Sequence, residues 1–119
     1  MRFTLTAVVV ALFASSLLAQ EVHNLSDDGV VAPTRVKLVQ AHYTDAARAA
    51  GLEGNVIMRA IVRADGTVDE VEVTQSLDSR YGLDEAAVNA ARQWEFKPAT
   101  KDGKPVAVRM TFTTRFTLK

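Results

Sequence analysis

The chain has 119 residues, which is room for one domain. With 48% hydrophobic and 24% charged residues, its composition is that of a folded protein and not of a disordered tail. The formal net charge is +0, which argues against nucleic-acid binding, since phosphate backbones attract clustered Lys and Arg.

The first residues stand apart from the rest. Arg2 supplies one positive charge, and Leu5 to Ala19 is uncharged and mostly apolar. A basic start, a short apolar run and a small residue at its end describe a secretory signal peptide over residues 1–19, with cleavage expected after Ala19. The run falls short of the roughly 20 residues that span a bilayer. An uncleaved anchor is the alternative. The chain has no cysteine, so it has no disulfide, no lipid-modified thiol and no thiol chemistry.

Residues 20–35 are polar and aperiodic and read as a flexible leader, which leaves 36–119 as the folded domain. Val36, Leu38 and Val39 form a short extended lead-in. Thr44 then opens a short helix: its hydroxyl can cap free backbone N–H groups, Asp45 suits the positive first turn, and four alanines follow. Gly51 ends it, and Leu52 can fold back on the last turn.

Gly54 to Arg63 alternates as a strand, with Val56, Met58, Ala60 and Val62 on one face. Asp65-Gly66 signals a hairpin. A two-residue loop there would place Ala60 opposite Val71, Met58 opposite Val73 and Arg59 opposite Glu72. A slip of one residue would destroy that agreement of faces.

Gln75 to Gly82 reads as a loop. Leu83, Ala86, Ala87, Ala90, Ala91 and Trp94 then follow one helical stripe, and Pro98 stops the helix at about Trp94. Trp94 and Phe96 read as core plugs where the helix leaves the sheet. Asp102-Gly103 turns the chain into a long last strand. There Val106, Val108, Met110, Phe112, Phe116 and Leu118 alternate with a wet face carrying Arg109, Thr111, Thr113 and Arg115.

The expected fold class is α+β: two helices packed on one face of a three-stranded antiparallel sheet in the order 2-1-3, with a right-handed crossover. That order leaves the last strand with an open edge.

Catalytic chemistry is missing from the sequence. His23 lies in the leader, and His42 has no second ligand at metal spacing. No serine sits in a nucleophile elbow, and no glycine pair forms a phosphate loop. No enzyme activity, metal, cofactor or small-molecule substrate is expected. What remains is the open edge. Either Arg109 and Arg115 merely protect it, or a partner peptide or a second copy extends it by strand addition.

Two stretches carry a family resemblance: "GLEGNVIMRAIVRADGTVDEVEV" and "GLDEAAVNAARQWEFKPATKDGKPVAVRMTFTTRFTL". Gly-x-x-Gly before the first strand, the Asp-Gly hairpin, Leu-Asp-x-Ala at a helix start, Trp-x-Phe-x-Pro at its exit and Gly-Lys-Pro-Val before a Phe-rich strand occur in order. In this the chain resembles the C-terminal domain of TonB-family proteins over Val36 to Lys119. The resemblance implies a periplasmic domain that engages an outer-membrane receptor, whose short segment, the TonB box, adds beside the last strand. The implied contact residues are Arg109, Thr111, Thr113 and Arg115, with Gln40, Ala41, His42 and Tyr43 before the first helix. The family's usual Tyr-Pro is Tyr43-Thr44 here. The residues ahead of the domain reach under about 90 Å when fully extended, with no long Pro-rich spacer.

The expectation is therefore an exported, non-enzymatic protein-binding domain that takes a partner segment at its last strand. One alternative is an energy transducer for outer-membrane transport, anchored in the cytoplasmic membrane and facing the periplasm. Another is a structural module that forms a homodimer through the same edge.

Overall fold

The alternation of Val56, Met58, Ala60 and Val62 builds a strand with one dry face, and that strand is the centre of the molecule. In the computed structural model, which describes residues 21–118, it runs over Gly54–Val62 and is paired along both edges. The expected signal peptide, residues 1–19, lies outside the described residues.

In chain order the strands are β1 (Val22–Asn24), β2 (Val30–Val31), β3 (Thr34–Lys37), β4 (Gly54–Val62), β5 (Val68–Gln75), β6 (Glu95–Lys97), β7 (Ala99–Lys101) and β8 (Lys104–Phe116). Helix α1 (Asp45–Ala49) precedes β4, and helix α2 (Leu83–Ala91) follows β5.

The expectation of a three-stranded sheet carrying two helices on one face is overturned. The described residues form a 6-stranded sheet in the order β2-β7-β8-β4-β5, with β1 also paired to β8, and a separate 2-stranded sheet of β3 and β6. The pairings are antiparallel except β1 with β8, which is parallel. The additional strands have 2 to 4 residues each, too short to show a period-two pattern. Three of them lie in residues 22–37, so the leader segment is tied to the rest of the chain at three places.

The long hairpin has the register expected at its middle, with Met58 opposite Val73 and Arg59 opposite Glu72. Nearer the turn the pairing shifts by one, to Ile61 opposite Asp69 and Val62 opposite Val68. The Arg63 N–H donates to Thr67 O at 2.8 Å, so the loop holds Ala64, Asp65 and Gly66 rather than two residues. A bulge absorbs the difference. Glu70 sits there at φ +49°, a conformation uncommon for a side chain other than Gly, Asn or Asp.

Helix α1 forms as its caps dictate. The Thr44 hydroxyl accepts from Ala47 N–H at 3.1 Å, Gly51 takes φ +68°, and Leu52 N–H returns to Ala47 O at 3.1 Å. Helix α2 ends at Ala91, three residues before the expected stop, and the chain winds on through a turn to Trp94.

The core joins the dry face of β4 to Val108, Phe112 and Phe116 of β8 and to Leu83, Ala87 and Ala91 of α2. The small residues on α2 let its backbone approach the sheet closely. Each fully buried Val, Leu, Met or Phe contributes about 1.5–3 kcal/mol. No helix among the described residues is long and apolar enough to cross a membrane.

Candidate functional site

Strand β8 runs over Lys104–Phe116, and from Val108 to Phe112 its sequence alternates between a dry and a wet face. One edge of it pairs with β4 from Val108 to Phe116. β1 also pairs with Val108 and Arg109, so it must lie on the opposite edge, where it covers Ala107–Arg109. On that outer edge Met110–Phe116 has no strand partner among the described residues.

Beside this free edge runs the segment 38–43, held away from β8 by side chains. The indole N–H of Trp94 donates to Val39 O at 2.9 Å. The Tyr43 ring meets Phe116 edge-on, with centroids 5.4 Å apart, and its hydroxyl donates to Leu52 O. The Arg48 guanidinium lies 4.8 Å over the Tyr43 ring. The space left between is a groove of about 440 Å³, walled by Leu38, Val39, Gln40, Ala41, Tyr43 and Trp94 and floored by the edge Thr113–Thr117.

The groove brings together five of the residues singled out from sequence: Gln40, Ala41, Tyr43, Thr113 and Arg115. His42 lines an adjoining, more open hollow with Gln40, Ala41 and Tyr43. Arg109 and Thr111 are elsewhere. Arg109 lies opposite Ile61 and beside Asn24 of β1, and Thr111 lies opposite Arg59. Arg109, Thr111, Thr113 and Arg115 are all exposed on the face away from the buried Phe112 and Phe116.

Charge is uneven over that face. Arg59 pairs with Glu72 at 3.3 Å, and Arg63 with Asp69 at 2.8 Å and Glu70 at 3.0 Å. The hydrogen bond to Asp69 holds the Arg63 guanidinium above its ordinary value and Asp69 below the usual carboxylate range. Arg109 and Arg115 have no carboxylate within ion-pair distance among the described residues. Arg109 nonetheless shares a hollow with Glu70 and Glu72, so Arg115 is the guanidinium that stands alone beside the free edge among the described residues.

Sequence reading missed Leu38, Val39 and Trp94 as groove walls. Trp94 was assigned to the core alone. It does pack against Phe112, at 5.2 Å, but is only half-buried, and its other face borders the groove. The available signal was its lone N–H, since an indole packed against a core needs an acceptor, which the Val39 carbonyl supplies. No group of His, Cys, Asp or Glu among the described residues could hold a metal ion.

The family model for the Gram-negative bacterial TonB protein C-terminal matches residues 39–118. The chain belongs to the TonB C-terminal domain family. Its sequence is 41% identical over 76 residues to the protein TonB of Xanthomonas campestris pv. campestris, covering 64% of this chain and 34% of that protein. It is 38% identical over 84 residues to the protein TonB of Vibrio cholerae, covering 68% of this chain and 33% of that protein. The chain therefore spans about a third of the length of these relatives. The solution structure of the Pseudomonas aeruginosa TonB C-terminal domain superposes with a TM-score of 0.62 at 28% identity, over 82% of this chain and 94% of that one. The TonB-type match begins at Val39, the residue whose carbonyl Trp94 holds.

Proposed function

We propose that this TonB C-terminal domain is an exported, non-enzymatic binding module that takes an extended segment of a partner protein onto the free edge of β8. The observation that carries this reading is the unpaired outer edge of Met110–Phe116 opening onto the groove beneath Trp94. Unpaired N–H and C=O groups supply affinity to any extended chain, and a pocket beside the edge selects among side chains. An incoming strand would place alternate side chains against Leu38, Val39 and Trp94. Its acidic residues would meet Arg115, and Arg109 where the edge is free that far. The partner that fits is an acidic, β-prone segment of an outer-membrane receptor exposed to the periplasm.

Kinship with TonB supports a second reading, in which the domain is the receptor-binding end of an energy transducer anchored in the cytoplasmic membrane. The two readings share the edge and differ in the N-terminus. Mass spectrometry of the protein from envelopes separates them: a chain starting at Gln20 supports export, and one retaining Arg2 supports the anchor.

Docking is tested by capture of outer-membrane proteins with wild type, Thr113→Pro and Thr114→Pro. Neighbouring residues of a strand send their N–H groups to opposite edges, so one proline strikes the free edge and the other the β4 ladder. The free-edge variant should keep its melting temperature and lose about five- to tenfold in capture, the worth of one or two hydrogen bonds. Undiminished capture by both variants overturns the reading. Sedimentation that shows a dimer dissolved by the same free-edge proline would instead assign the edge to a second copy.

A further inference from the structure

The outer edge of β8 is already half occupied by the chain itself. Val22–Asn24 lies parallel to Ala107–Arg109, in the register Val22 opposite Ala107, His23 opposite Val108 and Asn24 opposite Arg109. This is the same edge on which the partner segment is placed above, one residue upstream of the free stretch.

We propose that Val22–Asn24 is a displaceable strap that competes for this edge and regulates how much of it a partner can use. The inference rests on the docking reading of β8. With the strap closed, the edge offers Met110–Phe116. With it open, the edge runs from Ala107 to Phe116 and includes the backbone beside Arg109.

The strap is built to leave without unfolding the domain. None of its residues belongs to the core: Val22 and His23 are half-buried and Asn24 is exposed. Three residues of parallel pairing are the kind of contact that opens at low free energy. The next strand is better fastened. Val30 packs against the core, Val30 and Val31 pair with Lys101 and Thr100, and Gly29 O accepts from Asp102 N–H at 3.3 Å. Between the two lies a turn closed on itself, with Asp27 N–H to Asn24 O at 3.1 Å and Asn24 N–H to the Asp27 carboxylate at 3.0 Å. β1 can therefore swing away on this turn while β2 stays anchored.

A partner that needs the whole edge binds only the open fraction of molecules, and its apparent affinity falls by that fraction. A partner confined to Met110–Phe116 is indifferent to the strap. The device discriminates by the length of the segment presented, and favours one that carries an acidic residue as far as Arg109.

The test sets the strap closed and open in the full chain. The chain has no cysteine, so Val22→Cys with Ala107→Cys, which are Cα partners, gives one disulfide that locks it. Val22→Pro with His23→Pro removes both N–H groups, and so whichever one donates to β8. The probe is a synthetic peptide with the sequence of residues 21–26, which in the β1 register reaches no further than Thr111, titrated by NMR against each protein. The Ala107–Arg109 amides should respond in the released variant with an apparent affinity about tenfold or more above that of the oxidised locked one. Reduction of the disulfide should bring the locked protein back to wild-type behaviour. Equal responses in locked and released proteins overturn the strap. The probe's footprint excludes Thr113 and Thr114, so failure of the strap, read at Ala107–Arg109, and failure of the docking reading, read through the proline variants, are distinguishable.

Discussion

The indole N–H of Trp94 donates to the main-chain carbonyl of Val39 across 2.9 Å, joining residues 55 positions apart in the chain. One face of the ring closes the core against Phe112, and the N–H suspends the groove wall from the helix exit. A single side chain thus couples the packing of α2 to the width of the groove beside β8.

This coupling separates stability from binding. Trp94→Phe keeps an aromatic ring against Phe112 but frees the Val39 carbonyl, and should cost about 1 kcal/mol in urea unfolding. Trp94→Ala also removes the ring and should cost about 3 kcal/mol, the low end for a tryptophan because this one is half-buried. Partner capture should fall in the Phe variant by more than its small loss of stability explains. Equal unfolding midpoints for the two variants would show that the ring carries nothing.

Asp78 makes the fold sensitive to acid, in the same sense as Asp65 and Asp69. Burial opposes its ionisation, but the backbone N–H groups of Tyr81, Leu83 and Arg80 together outweigh burial and hold the carboxyl below its ordinary value. Its folded value lies below its unfolded one, so the unfolded chain binds more protons in acid. The stabilisation is full above the ordinary carboxylate value and disappears as pH falls through the depressed one. Thermal melts taken down through the carboxylate range should show wild type losing stability there. Asp78→Asn should start lower at neutral pH and lose less, since its residue cannot titrate. Parallel curves would remove Asp78 from this role.

Gly66 and Gly103 have nearly the same backbone and opposite surroundings. Gly66 is at φ +90°, and a Cβ there would sit 2.0 Å from the Phe96 carbonyl oxygen. Gly103 is at φ +82° with nothing within 4 Å of such a Cβ. Gly103→Ala should therefore cost only the backbone term, about 1–2 kcal/mol. Gly66→Ala should cost clearly more, because Gly66 O also accepts from Phe96 N–H at 2.9 Å and β6 would be pushed off the hairpin. Similar melting temperatures for both variants would contradict this close approach.

The long elements were legible because their patterns repeat. Val56 to Val62 and Val106 to Phe116 alternate often enough to fix faces, and Met58–Val73 and Arg59–Glu72 fix a register. The bulge at Glu70 was not legible, since Ala64-Asp65-Gly66 closes a three-residue loop as readily as Asp65-Gly66 closes a two-residue one. The short strands around Pro98 and in residues 22–37 are made by tertiary pairing, not by local propensity, and so had no pattern to show.

The candidate site divides along the same line. Gln40, Ala41, Tyr43, Thr113 and Arg115 share one groove, because Tyr43 is locked to Phe116 and the chain before it must pass along β8. Arg109 sits apart under β1, a neighbour that a sequence read as a flexible leader does not announce. The correction to the sheet also moves the start of the open edge, which among the described residues begins at Met110.

The pairing of β8 with β4 is unbroken from Val108 to Phe116, nine register positions in line with β4 on the interior of the sheet. Hydrogen bonds of an antiparallel ladder lie across the strands. Tension applied along β8 loads all nine positions together in shear, whereas tension across it would peel them one after another. A segment clipped onto the outer edge and pulled lengthwise would meet its resistance in parallel too. The β4–β8 ladder is therefore mechanically anisotropic, stiff along the axis of the longest strand and weak at right angles to it.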